Sequence, residues 1–144
     1  MPTNLPALEN ALFSLFTNPG TEVECANAWG DAMLAYAVAM VPPSATVTTA
    51  ATALKTALVG FGVPNQAASV VGPAFGSFAT ACAVGHGLTG YAPSPPGPLD
   101  LSALLGTYPP TSLAAAQGIA AAIDAWFKTG FSTLLPSGPA VPWT

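Results

Sequence analysis

Charge is what this sequence most lacks. Its 144 residues include two lysines, Lys55 and Lys128, no arginine, and six acids: Glu9, Glu22, Glu24, Asp31, Asp100 and Asp124. Charged residues are 6% of the chain, against roughly 25% in an ordinary soluble domain. Two distant lysines and a formal net charge of -4 exclude nucleic acid, because neutralising phosphates takes several cations in one patch. They also exclude an amphipathic membrane-surface helix, which needs a basic polar face. The pI near 4.3 comes from few acids and does not indicate an acidic tail. A surface this poor in charge is expected to be covered by other protein chains, a hydrophobic ligand or lipid.

Long apolar runs are also missing. Residues 32–54 and 56–99 carry no formal charge, but the first is cut by Pro42, Pro43 and threonines, and the second by Gly60, Gly62, Pro64, Gly72 and Pro73. The best window, Ala32 to Val41, is about half the roughly 20 residues a spanning helix needs. No membrane span is expected. The opening Met-Pro-Thr-Asn-Leu-Pro has no basic segment followed by an apolar run, so synthesis in the cytoplasm is the expectation. Cysteine is scarce too, and Cys25 and Cys82 read as buried, unpaired small hydrophobes.

What is present is helical patterning. Leu5, Leu8, Leu12, Leu15 and Phe16 share one face of a first helix, with Asn4 as its cap and Pro6 in its first turn. Thr21 followed three residues later by Glu24 is a capping box opening a second helix, with Cys25, Trp29, Met33, Tyr36 and Met40 as its apolar series. Val41-Pro42-Pro43 stops it, and Ser44 is placed to cap a third helix with Val47, Ala50, Ala51, Leu54 and Leu58 inward. Gly60 to Pro64 breaks the chain. A fourth helix is expected from Asn65 to about Val84 through Val70, Val71, Phe75, Phe78 and Cys82, kinked or split at Gly72-Pro73. Ser112 is placed to cap a last helix with a stripe of Leu113, Ala116, Ile119, Ala120, Ile123, Trp126 and Phe127.

Residues 85–111 are rich in glycine and proline and read as a long extended connection, at a length that is functional or laid across another surface. The prolines of the tail from Leu135 to Thr144 exclude helix and central strand. The expected fold is therefore all-α: a compact bundle of about four to five helices forming one domain over 1–134, with an extended C-terminal arm over 135–144.

Chemistry is sparse. The lone His86, between Gly85 and Gly87, has no evident orienting partner or nucleophile, which general-base work requires. Scattered acids, one histidine and two separated cysteines give no metal-ligand spacing. Val84 to Gly90 lacks the Lys-Ser or Lys-Thr of a phosphate loop. Glu22 and Glu24 serve a helix start rather than a paired-carboxylate site. Asp124 and Lys128 have ion-pair spacing, and Lys55 has no such partner. No catalytic residue, cofactor or metal is expected. Trp143, in a proline-rich tail, reads as an interface anchor, with Pro139 to Thr144 as an arm that docks on a neighbour in preference to folding back on its own chain. The candidate interface is Pro139, Val141, Pro142 and Trp143 of the tail with Tyr91, Pro95, Pro96, Leu99 and Tyr108 of the connection.

The run Ala28-Trp29-Gly30-Asp31-Ala32 with Tyr36-Ala37 and Val41-Pro42-Pro43-Ser44, the Ala/Thr-rich helix after it, and Ala122 to Gly130 resemble small structural proteins of tailed bacteriophages. The resemblance implies a virion subunit in a capsid, neck or tail, contacting copies of itself and other virion proteins, with no site residue carried over. Permanent interfaces are depleted in charge, in keeping with this composition. The competing expectations are a helical carrier for a hydrophobic small molecule and a secreted Ala/Pro-rich surface protein.

Overall fold

A computed structural model describes residues 3–59, 67–105 and 110–144. Among them are six helices, α1 (Leu5–Thr17), α2 (Glu22–Ala37), α3 (Val47–Leu58), α4 (Ala67–Leu88), α5 (Ser102–Leu105) and α6 (Ser112–Phe127). Three short strands accompany them: β1 (Tyr91–Ser94), β2 (Phe131–Leu134) and β3 (Ala140–Pro142). The expected break at 60–64 and the expected helix start at Asn65 lie outside the described residues. No helix among those described is long and apolar enough to cross a membrane.

The helix starts follow local chemistry. The Asn4 side chain accepts from Ala7 N, with Pro6 in the first turn. At α2 the capping box closes both ways: Thr21 Oγ1 accepts from Glu24 N, and Glu24 Oε2 accepts from Thr21 N. Those bonds hold the Glu24 carboxyl below its ordinary range. Two other caps differ from expectation. Thr111, not Ser112, caps α6 by accepting from Ala114 N. Thr46 rather than Ser44 stands at the start of α3 and makes no side-chain cap. Both hydroxyls there are used elsewhere, Ser44 donating to Cys82 O and Thr46 to Ala81 O, which ties the 41–46 segment onto α4.

The stripes read from the sequence are the core. In α3 the buried residues are Val47, Ala50, Ala51, Leu54 and Leu58. From α4 come Val71, Phe75, Phe78 and Cys82, and from α6 Ala116, Ile119, Ala120, Ile123, Trp126 and Phe127. Leu113 is the exception in α6, at 48% exposure. Helix α3 packs between α2 and α4, and α1 against α2 and α6. Gly30 brings α2 close to α3: a Cβ there would lie 2.2 Å from Lys55 Cγ and 3.0 Å from the Ala51 carbonyl oxygen. Lys55 does have a partner, pairing across that contact with Asp31.

Helix α4 continues through Pro73 as one element rather than splitting. An interior proline costs about 3 kcal/mol. Burying Val71, Ala74 and Phe75 on either side of it returns more, at roughly 1.5–3 kcal/mol for each large apolar side chain. The helix also runs to Leu88, past Gly85 and Gly87.

The all-α expectation needs a larger correction. Residues 91–94, 131–134 and 140–142 form a three-stranded antiparallel sheet in the order β1-β2-β3. Tyr91 pairs with Leu134, Ser94 with Phe131, and Phe131 in turn with Pro142. Its prolines, Pro93 and Pro142, lie on the two outer strands, where a missing N–H is tolerated. The described part of the 85–111 connection is thus helix end, strand, an irregular stretch over 95–101 and a short helix, and the C-terminal arm carries an edge strand over Ala140–Pro142.

Replacing Thr21 by alanine is expected to lower stability by about 1 kcal/mol in urea denaturation. An unchanged midpoint would show that the capping box contributes nothing net.

Candidate functional site

His86 continues the inward stripe of α4, four residues beyond Cys82, and is fully buried. Its Nδ1 lies 2.8 Å from Ser132 Oγ on β2. Ser132 Oγ also accepts from Trp143 Nε1 at 2.9 Å. The indole donates to Ser132 Oγ, and within this closed group His86 Nδ1 is the acceptor open to the serine hydrogen; the arrangement that leaves that hydrogen bonded has Ser132 donating to Nδ1 and the imidazole proton on Nε2. Nε2 is buried without a hydrogen-bond partner, and the Pro42 main-chain carbonyl is the backbone group that acts on the ring. Burial holds the His86 pKa below its ordinary 6.5.

Histidine beside serine suggests a base and a nucleophile. The geometry does not favour attack on a substrate, because Ser132, His86 and Trp143 are each 0% exposed and no carboxylate orients the imidazole. A nucleophile needs open approach. Here three elements are locked together. Trp143 stands edge-on to His86 at 4.8 Å and against Phe127 at 5.2 Å. A Cβ at Gly130 would fall 2.7 Å from the Trp143 ring, so only glycine leaves the slot open. Trp143 N donates to Gly130 O, and Val41 and Thr144 exchange both backbone hydrogen bonds, at 2.7 and 3.0 Å.

The expectation that Trp143 docks on a neighbour is therefore corrected. It docks in its own chain, because β3 carries it back over β2 into the glycine-floored slot. Of the other candidate residues, Pro96 and Leu99 are buried, Tyr91 and Val141 are half-buried, and Pro95, Pro139 and Pro142 are exposed. Tyr91, Val141 and Pro142 share the sheet, while Tyr108 lies outside the described residues.

The structure brings together a different apolar set. Val84 and Leu88, one turn apart at the end of α4, are 57% and 71% exposed. Leu135 donates from its backbone N to Gly90 O, and Leu134 is paired with Tyr91, which places two more exposed leucines at the same corner. On the outer sheet face Phe131 is 44% exposed between Ser94 and Pro142. The segments building this end, 84–99, 129–144 and 38–46, contain no Asp, Glu, Lys or Arg. Sequence reasoning missed Val84, Leu88, Phe131, Leu134 and Leu135, although the charge-free run around Leu134-Leu135 was a visible signal.

A second feature is an apolar pocket of about 300 Å³ among the helices, lined by Cys25, Trp29, Val71, Phe75, Leu101 and Ile119, with Glu22 as its one charged lining residue. Cys25 and Cys82 are free thiols. Burial pushes the Cys82 thiol up to about 12. Among the described residues no three His, Cys, Asp or Glu come together to hold a metal. Comparison with protein-family models, curated proteins and solved structures finds no match to the chain.

Trp143→Ala is expected to cost about 3–5 kcal/mol in urea denaturation of the dilute chain. A change below about 1 kcal/mol, the scale of a surface position, would mean that the ring is not part of this chain's core.

Proposed function

We propose that the chain is a structural subunit of a larger protein assembly, packing through its uncharged sheet end against copies of itself and other structural proteins, without catalysis. The observation that carries this reading is that Val84 and Leu88 at the end of α4, and Leu134 and Leu135 on the segment bonded to Gly90, are all exposed on segments that hold no charged residue. A single exposed leucine is ordinary, whereas several at one charge-free end of the fold make that end the place to look for a contact surface. Nothing at this end would repel a second copy of the same surface, and charge-poor permanent interfaces are built this way. Placement of the assembly in a tailed-bacteriophage virion (capsid, neck or tail), after synthesis in the host cytoplasm, rests on the resemblance of the 28–44 and 122–130 segments.

The pocket beside Trp29 and Phe75 supports a second reading, a carrier of an apolar small molecule, since its volume is at the lower end of ligand sites, about 300–1,000 Å³. Native mass spectrometry separates the two: a monomer with a co-purified apolar ligand favours the carrier, and ligand-free oligomers favour the subunit.

Leu88→Glu with Leu135→Glu places two charges on the patch at sites exposed enough that folding changes by less than about 0.5 kcal/mol each. Light scattering at micromolar concentration is expected to show oligomers for the wild type and monomer for the double variant, with unchanged circular dichroism. Identical oligomers in the variant would remove the patch from the interface.

A further inference from the structure

We propose that His86, Ser132 and Trp143 form a pH-operated latch that holds the C-terminal strand down at neutral pH and releases it, with Trp143, on mild acidification while the helical core stays folded.

The chemistry follows from counting hydrogens. With neutral His86 in that tautomer every donor but one is used: the indole N–H goes to Ser132 Oγ, the serine hydroxyl goes to His86 Nδ1, and only Nε2–H is left without a partner. Protonation puts a hydrogen on Nδ1. Ser132 Oγ then faces two donors, and its own hydrogen loses its acceptor in a site closed to water. The imidazolium also gains no compensating anion. Cys82, one turn away on α4, is held as a thiol by burial. Strand β1 brings only Tyr91, and β2 and the 41–46 segment bring no titratable side chain. Asp124 and Lys128 of α6 are paired with each other. Beside β3 the Thr144 main-chain oxygen accepts from Val41 N.

Release would be local because of what holds each part. Strand β3 spans three residues and is fastened by its pairing with β2, the Val41–Thr144 bonds and the Trp143 slot. The helices are fastened by the shared core, which contains no other group titrating near neutrality, His86 being the only histidine. The sign follows from burial. The unfolded chain takes the proton at about pH 6.5, and the latched state takes it only at lower pH. The contribution of the latch is therefore complete above about pH 6.5 and lost as pH falls through the lowered native value. Hydrogen bonds hold the carboxyls of Glu24 and Asp100 below their ordinary range.

The test uses the full chain labelled with 5-fluorotryptophan, whose three sites, Trp29, Trp126 and Trp143, give separate fluorine resonances. The solvent-isotope shift of each resonance, followed from pH 7.5 to 4.5, reads its exposure. Expected is a reversible move of Trp143 alone to the exposed shift, with Trp29 and Trp126 unmoved, and loss of that transition in His86→Gln. Should His86→Gln not fold, Ser132→Ala serves: the neutral imidazole loses its donor, so the midpoint rises toward 6.5. Simultaneous movement of all three resonances, a Trp143 resonance that stays buried, or an unmoved midpoint in Ser132→Ala would each overturn the latch.

Discussion

Edge-to-face and tilted contact between aromatic rings is the interaction on which the rest of this structure depends. One connected series runs Phe16, Trp29, Phe75, Trp126, Phe127, Trp143 and His86, with centroid separations from 4.8 to 6.2 Å. It passes from α1 through α2, α4 and α6 to the residue after β3. Phe127 is its hub, also meeting Tyr36 at 5.5 Å and Phe78 at 6.3 Å. Each such pair adds about 0.5–1.5 kcal/mol beyond the area it buries. Between the rings much of the buried core is alanine, among it Ala26, Ala32, Ala37, Ala50, Ala51, Ala79, Ala116 and Ala120, which allows close approach but supplies little area. The series therefore joins elements that small residues alone would hold weakly.

Scarcity of charge shapes the polar bonds in the same way. With six acids and two lysines, few exposed ion pairs are available, and they bridge elements or steady a helix end. Asp124 accepts from the Tyr36 hydroxyl and from Lys128, each at 2.8 Å, and so ties α2 to α6. Burial, with the Asp124 carboxylate adding to it, holds the Tyr36 pKa above its ordinary range. Hydroxyls do work that charges do in other domains: Ser44 and Thr46 bond α4 carbonyls, and Ser132 joins the indole to the imidazole. Trp126 Nε1 donates to Gly97 O and so fixes the proline-rich segment to the last helix.

The helices were largely legible in the sequence because each depends on information within a few turns. The stripe from Val47 to Leu58, the cap at Asn4 and the capping box at Thr21 all use contacts three or four residues apart. The sheet was not legible. Its strands are three or four residues long, two contain proline, and what fixes the first of them is pairing between Tyr91 and Leu134, some forty residues apart in sequence, with β3 added across a shorter connection. Trp143 failed for the same reason: a proline-rich tail says that helix is excluded, and the slot above Gly130 exists only once β2 and α4 are side by side. His86 was obscured by its glycines. Gly85 marks contact with the 41–46 segment rather than a helix end, since a Cβ there would lie 2.1 Å from Ser44 Oγ. The candidate surface moved accordingly, from the tail's aromatic ring to the leucines of the corner that the tail helps to build.

The central claim is that Trp143 closes the chain on itself and leaves the uncharged corner as the face for other subunits. Tryptophan fluorescence of the wild type minus that of Trp143→Phe, with acrylamide quenching, tests it at dilutions where mass photometry shows a monomer. The predicted Trp143 signal is blue-shifted, protected from acrylamide and unchanged as concentration rises and oligomers form. A ring open to quencher in the monomer and protected only on association would contradict the account.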